Sequence, residues 1–166
     1  MNIETIAPCV NYYTDVYDAS LFTQLIEEES SKSWPRLEWE RSRTGTGQVT
    51  VTNDYRSSLS MNLSPIMVDV ELVEMNDVRE EFVSVWRKID ECVHDYRRCY
   101  DLFLTQHEQM SVLKYEDGAE YKAHWDAGGP EDRARTLSMV SYFNDDYIGG
   151  ELEFCNFDKK IKPSAG

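Results

Sequence analysis

The sequence predicts an α+β domain, with helices in the first part of the chain and an antiparallel sheet in the second. Three observations carry that class. Residues 76–104 repeat apolar side chains at helical three-and-four spacing; the chain beyond them breaks into short strand-like runs between turn signals; and no regular strand-helix-strand alternation joins the two parts. A chain of 166 residues with 41% hydrophobic content can bury one real core, so residues 1–166 are expected to form a single domain. Within it, residues 1–106 would hold the helices and a hairpin, and 107–166 the strands.

The elements follow in order. "SLFTQLIEEES", residues 20–30, reads as a short helix with Ser20 placed to cap it and Leu21, Leu25 and Ile26 on its inner face. "LEWERSRTGTGQVTVTNDYRSSLSM" alternates and carries β-formers around Gly45-Thr46-Gly47, which suits a hairpin or two extended strands. Its "DYRSSLSM" end, with Arg56 among hydroxyls, reads as an edge strand or as a strand beside a substrate groove. In the long segment, Val78, Phe82, Val85, Ile89, Cys92, Tyr96 and Phe103 form one apolar stripe, and Asp77 with Glu80 resembles an Asp form of the capping box. The later runs "QMSVLKYE", "EYKAHWD", "RTLSMVSYFN", "GELEF" and "KKIK" read as strands. Turns fall at Asp117-Gly118, Gly128-Gly129-Pro130 and Gly149-Gly150, the last needing the positive φ that glycine takes freely.

Composition narrows the function. Seventeen basic residues against 31 acidic ones give a net charge of −14, which argues against a general nucleic-acid or anionic-membrane binder, since both need a basic surface. No run of eighteen apolar residues occurs, and the first twenty residues lack a basic segment followed by an apolar one. The four cysteines, 9, 92, 99 and 155, form no CxxC pair; Cys92 and Cys99, two helical turns apart, would be separated by roughly 10 Å. The expectation is a cytoplasmic protein with reduced thiols.

One short motif carries chemistry. In a strand, residues i and i+2 project to the same side, so His124 and Asp126 can converge on one cation while Trp125 faces away. Imidazole nitrogen with carboxylate oxygen suits Fe(II), Zn(II) or Mn(II). On spacing alone the same two residues suit a structural His-Asp hydrogen bond better, and in so acidic a chain the spacing arises readily by chance. His94 falls on the polar face of the long helix beside Arg87, Asp90 and Arg97, and His107 just past its end, where a cation complements the helix dipole. Other motifs fail: "GTGQVT" ends in Thr50 where a dinucleotide loop needs glycine, "NDDYIGGELEFC" puts Ile148 and Cys155 where calcium ligands belong, and no GxSxG occurs.

The run "VLKYEDGAEYKAHWDAGGPEDRARTLSMVSYFNDDYIGGELEF…IKPSAG" resembles the catalytic domain of the prolyl 4-hydroxylase-like Fe(II)/2-oxoglutarate dioxygenases. The shared order is Tyr115; Gly118, Tyr121, His124 and Asp126; Arg135; Tyr142-Phe143-Asn144; Gly149-Gly150-Glu151-Leu152 with Phe154; and Pro163 with Gly166. Several elements in order over about a third of the chain are far more specific than H-x-D alone. The resemblance implies a double-stranded β-helix, the jelly-roll or cupin-like core, supported by the N-terminal helices. It implies iron held by two histidines and a carboxylate, with His124 and Asp126 as the first two ligands. It also implies 2-oxoglutarate as cosubstrate, converted with O2 to succinate and CO2 while a hydroxyl is placed on a substrate C–H bond, and ascorbate as the reductant that restores iron. Tyr115 and Tyr142 would donate hydroxyls to the cosubstrate, or serve as rim aromatics of the sheet; Tyr121 would face cosubstrate or substrate. Arg135 would brace the loop through Asp132 or Asp126, or stand solvated at a strand end. No catalytic residue beyond the metal ligands is expected.

The family pattern continues past P-x-x-G to a distal histidine, the third ligand, and a Lys or Arg that pairs with 2-oxoglutarate. The expectation is therefore a β-helix incomplete at its C-terminus, in a fragment of a longer chain or a truncated form, with these 166 residues alone inactive or nearly so. The expected substrate is a peptidyl proline or a related peptide or small molecule. Two other readings stand beside the dioxygenase: a non-catalytic β-helix module that binds a partner or small acid, and a zinc or manganese hydrolase using His124 and Asp126.

Overall fold

The computed structural model describes residues 1–32, 37–43, 55–63, 76–108, 110–127 and 135–166. The turn at Gly45-Thr46-Gly47, the Gly128-Gly129-Pro130 turn and Asp132 lie outside them. The chain opens with an antiparallel hairpin that no sequence signal announced, β1 (Asn2–Ala7) and β2 (Val10–Thr14), whose register slips between Thr5 and Ala7. Helix α1 (Ser20–Ser30) follows, then β3 (Glu40–Arg41), β4 (Leu59–Asn62) and the long helix α2 (Asn76–Tyr100). The C-terminal part holds β5 (Ser111–Lys114), β6 (Leu152–Phe154), a 3-10 turn (Cys155–Phe157) and β7 (Lys159–Ile161).

The architecture is α+β, as expected, with helices laid on a three-stranded antiparallel sheet of order β3-β4-β5. The alternation of the segment before α2 becomes real pairing, Glu40 opposite Ser60 and Arg41 opposite Leu59. β4 also pairs with β5, Met61 opposite Val112, so "DYRSSLSM" ends in the central strand of this sheet and the edge-strand reading is corrected. Phe22 and Ile26 of α1, Val78, Phe82, Val85 and Ile89 of α2, and Leu37, Met61 and Leu63 make one buried cluster. Leu25, Trp39, Met110, Val112 and Phe143 close its margins. The period of 3.6 in α2 and of 2 in β4 point these side chains at one another.

Several local expectations change. Ser20 begins α1 without a side-chain cap; Ala19 precedes it, and Asp18 accepts the Ser20 amide at 2.9 Å. Phe22 rather than Leu21 turns inward: Leu21 is half exposed, because the helix presents Phe22, Ile26 and Glu29 to the core. Asp77 sits inside the first turn of α2 rather than before it, where its charge still complements the helix dipole. α2 also stops earlier than the stripe suggested. Asp101 takes a left-handed φ of 50°, and the Leu102 amide folds back to the Arg97 carbonyl at 3.0 Å, the six-to-one bond of a Schellman ending. Phe103 therefore lies outside the helix and 83% exposed.

The runs "EYKAHWD" and "RTLSMVSYFN" do not become strands among their described residues; the first keeps a single bridge, Tyr121 to Arg56, and the second runs without a ladder. The strands described form three separate small antiparallel sheets, and no double-stranded β-helix closes among them. β6 and β7 pair as a hairpin, Leu152 opposite Ile161, just after the Gly149-Gly150 turn, whose φ values of 78° and 66° are those the sequence required. The N-terminal hairpin ties both halves together. Tyr13 donates to Asp95 of α2 and Tyr100 to Asn11, while the Val16 amide donates to the Gly166 carbonyl at 2.6 Å and the Gly166 amide to the Tyr142 carbonyl at 3.0 Å. No described helix is long and apolar enough to cross a membrane.

Candidate metal centre

The residues leading into β4 run antiparallel to the H-x-D segment and hold it by its backbone. The Lys122 amide donates to the Tyr55 carbonyl at 3.0 Å, and the Ser57 amide to the Glu120 carbonyl at 2.9 Å. The Ser57 hydroxyl accepts the Glu120 amide at 2.8 Å, and the Tyr55 hydroxyl donates to the Ala123 carbonyl. Tyr121 is the hub of the side chains. Its ring stacks on His124 with centroids 3.6 Å apart, meets Tyr55 edge-on at 5.8 Å, and lies 4.5 Å from the Arg56 guanidinium carbon.

His124 Nδ1 lies 2.7 Å from the Lys122 carbonyl. A carbonyl can only accept, so this nitrogen carries the proton and donates. The other ring nitrogen, Nε2, lies 3.2 Å from Asp126 Oδ1. The two residues thus converge as predicted, but through a local bend and the Lys122 tie rather than through the pleat of a strand. Two donors about 2.1 Å from a shared cation stand about 3.0 Å apart at a right angle and about 3.4 Å apart in a tetrahedron. The observed separation falls between, and the tie on Nδ1 is the outer hydrogen bond that metal-bound histidines keep. The donor set fits a divalent first-row metal at two positions.

Of the three predicted tyrosines, Tyr121 is the one seen against this pair, stacked on His124. Tyr115 follows β5 and is exposed, while Tyr142 is half-buried next to Phe143, which packs on Phe22 at 5.2 Å in the core. Burial, then the neighbouring Tyr147, Tyr115 and Tyr12, push the Tyr142 hydroxyl up to about 12. Burial raises Tyr121 as well; Arg56 opposes this, and Tyr55, Asp126 and Tyr115 add to it. Tyr115 therefore stands within electrostatic reach of both other tyrosines. The raised Tyr121 and Tyr142 hydroxyls stay protonated at neutral pH, the state that donates to a carboxylate.

Arg135 reaches Asp126 by its backbone. Nη1 donates to the Asp126 carbonyl at 2.8 Å, while Nε and Nη2 form a fork on Glu108 at 2.5 and 2.6 Å. That hydrogen bond, with the charge behind it, holds the Glu108 carboxyl below the usual carboxylate range against the opposing effects of burial and Asp126. Sequence reasoning missed Glu108, one acid among 31 and 27 positions from its partner, with no local signal to mark it. The remaining histidines are engaged elsewhere: His94 Nε2 lies 3.3 Å from Asp90, and the His107 ring packs on Trp86 at 5.9 Å. No group of three or more metal-ligating side chains is assembled among the described residues. A cleft of about 490 Å³ between Tyr17, Asp18 and residues 143–146 holds none of the predicted site residues.

Residues 110–166 match the family model of the 2OG-Fe(II) oxygenase superfamily. The match takes in β5, the His124–Asp126 pair, Arg135 and all three tyrosines. No curated protein and no solved structure matches the chain. This similarity to the 2OG-Fe(II) oxygenases covers roughly the last third of the sequence and supports a dioxygenase-type oxidoreductase that works with Fe(II) and 2-oxoglutarate.

Proposed function

We propose that the protein is an Fe(II)- and 2-oxoglutarate-dependent dioxygenase that hydroxylates a C–H bond in the manner of prolyl 4-hydroxylases, on a peptidyl proline or a related peptide or small molecule. One observation carries the reading most of the way. Inside the segment similar to 2OG-Fe(II) oxygenases, an imidazole whose Nδ1 is already committed presents Nε2 toward a carboxylate oxygen at 3.2 Å. His124 and Asp126 are two of the protein's iron ligands in this reading. Bound iron would supply O2 activation coupled to oxidation of 2-oxoglutarate, with ascorbate as the reductant that keeps it ferrous.

The chain's own residues do the rest. The Lys122 carbonyl fixes the His124 tautomer, and the stacked Tyr121 ring limits rotation of the imidazole. Tyr115 and Tyr142 donate hydroxyls to cosubstrate oxygens, and Tyr121, flanked by Arg56, faces cosubstrate or substrate. Arg135 braces the loop through the Asp126 carbonyl. The proposed core is the double-stranded β-helix of the similar family, to which β5, β6 and β7 would contribute.

The test is succinate formation from 2-oxoglutarate on the natural protein, with Fe(II) present or chelated and with Asp126→Ala beside the wild type. Iron-dependent succinate abolished by the substitution is expected. Turnover of an ester, amide or phosphoester with Zn(II) or Mn(II) and without 2-oxoglutarate would replace this reading by a hydrolase.

A further inference from the structure

Each member of the His124–Asp126 pair has a hydrogen-bonded tether from outside the pair. For His124 it is the Lys122 carbonyl; for Asp126 it is Arg135 Nη1 on the backbone carbonyl of the same residue. A guanidinium is planar and rigid, so holding one edge fixes the direction of the remaining N–H groups. Glu108 holds that edge, Nε and Nη2, with both carboxylate oxygens. We propose that Glu108 is a positioning residue: its fork on Arg135 aims Nη1 at the Asp126 carbonyl and so sets the affinity of the His124–Asp126 pair for a divalent cation. The proposal rests on the metal-ligand reading of that pair.

Stability does not account for the arrangement. Glu108 is 58% exposed and Arg135 35%, and exposed ion pairs contribute little to folding. A bidentate fork instead confers geometry. Without it Nη1 is no longer aimed by a fork on the opposite edge of the guanidinium, and the Asp126 carbonyl loses the fixed direction of its donor. Glu108 comes from the segment between α2 and β5, outside the elements that carry the pair.

The experiment titrates the full chain with Co(II), read by calorimetry, and records melting curves in parallel. Asp126→Ala should abolish saturable binding. Glu108→Gln should weaken it about tenfold, the low end of what lost outer-shell partners cost, with the melting temperature nearly unchanged. The charge swap, Glu108→Arg with Arg135→Glu, rebuilds the ion pair but leaves no N–H for the Asp126 carbonyl; it should keep the melting temperature and fail to recover affinity. Wild-type affinity in Glu108→Gln, or full recovery in the swap, overturns the positioning role while Asp126→Ala still upholds the metal pair. Unchanged binding in Asp126→Ala overturns the metal reading and this proposal together.

Discussion

At the scale of single residues, the site was legible where chemistry is local. His124 and Asp126 stand two apart, and their place in order among Tyr115, Tyr121, Arg135 and Tyr142, rather than the spacing alone, singles them out; the structure sets their donors 3.2 Å apart. The tie from Nδ1 to the Lys122 carbonyl was not legible, because it depends on a bend that periodicity does not encode. Glu108 was hidden for a related reason: its role is defined only by where Arg135 lands. The tyrosines give a testable pH dependence. Burial leads the causes that push Tyr13 and Tyr142 up to about 12 from an ordinary value of 10.0. A raised folded pKa favours the protonated folded state, so this stability is complete below about pH 10 and is lost as pH rises toward 12. Melting temperatures measured across that window should fall, and Tyr142→Phe should lose less than the wild type over the same interval. An equal loss in both would show that Tyr142 does not contribute.

Among the elements, α2 was the most readable, because only a helix lays apolar side chains repeated at three-and-four spacing along one face. Val78, Phe82, Val85, Ile89 and Cys92 are all buried as that stripe requires. Its end was not readable. Asp is a poor sequence signal for a left-handed C-terminal residue, a place glycine usually takes, yet Asp101 occupies it with φ 50°. Asp101→Gly should therefore stabilise the fold by up to about 1 kcal/mol, through relief of the left-handed conformation. Urea unfolding would measure it as a higher midpoint at unchanged slope, and a lower midpoint would show that the aspartate is the better fit. The N-terminal hairpin escaped notice because "NIETIAPCVNYYT" has no glycine-based turn; Cys9 takes the positive φ of 60° instead. The run "RTLSMVSYFN" erred the other way. It has a strand's composition, but strands are made by partners, and its described residues find none in register.

For the whole molecule, charge is the property that composition states most directly. Thirty-one acids against 17 bases repel one another across one small body, while the ion pairs described are mostly exposed and offset little of it. Raising sodium chloride from about 10 mM to about 150 mM, which shortens the screening length from roughly 30 Å to roughly 8 Å, should raise the melting temperature. A fall would mean that the surface pairs outweigh the self-repulsion. The connection between halves is also a whole-molecule property. β4 precedes α2 and β5 follows it, yet they pair, and Tyr12 bonds Ser164 across 152 positions. Residues 1–106 and 107–166, separable by the texture of the sequence, are joined in one sheet.

Spacing along the chain was enough for the α+β class, the long helix with its inner face, and the order of residues that resembles the oxygenase family. Packing in three dimensions decided which strand is central, where α2 stops, how the imidazole is oriented and what holds Arg135. Those depend on which distant backbone carbonyl or carboxylate arrives beside a given donor, and hydrogen bonds across such separations leave no trace in local periodicity.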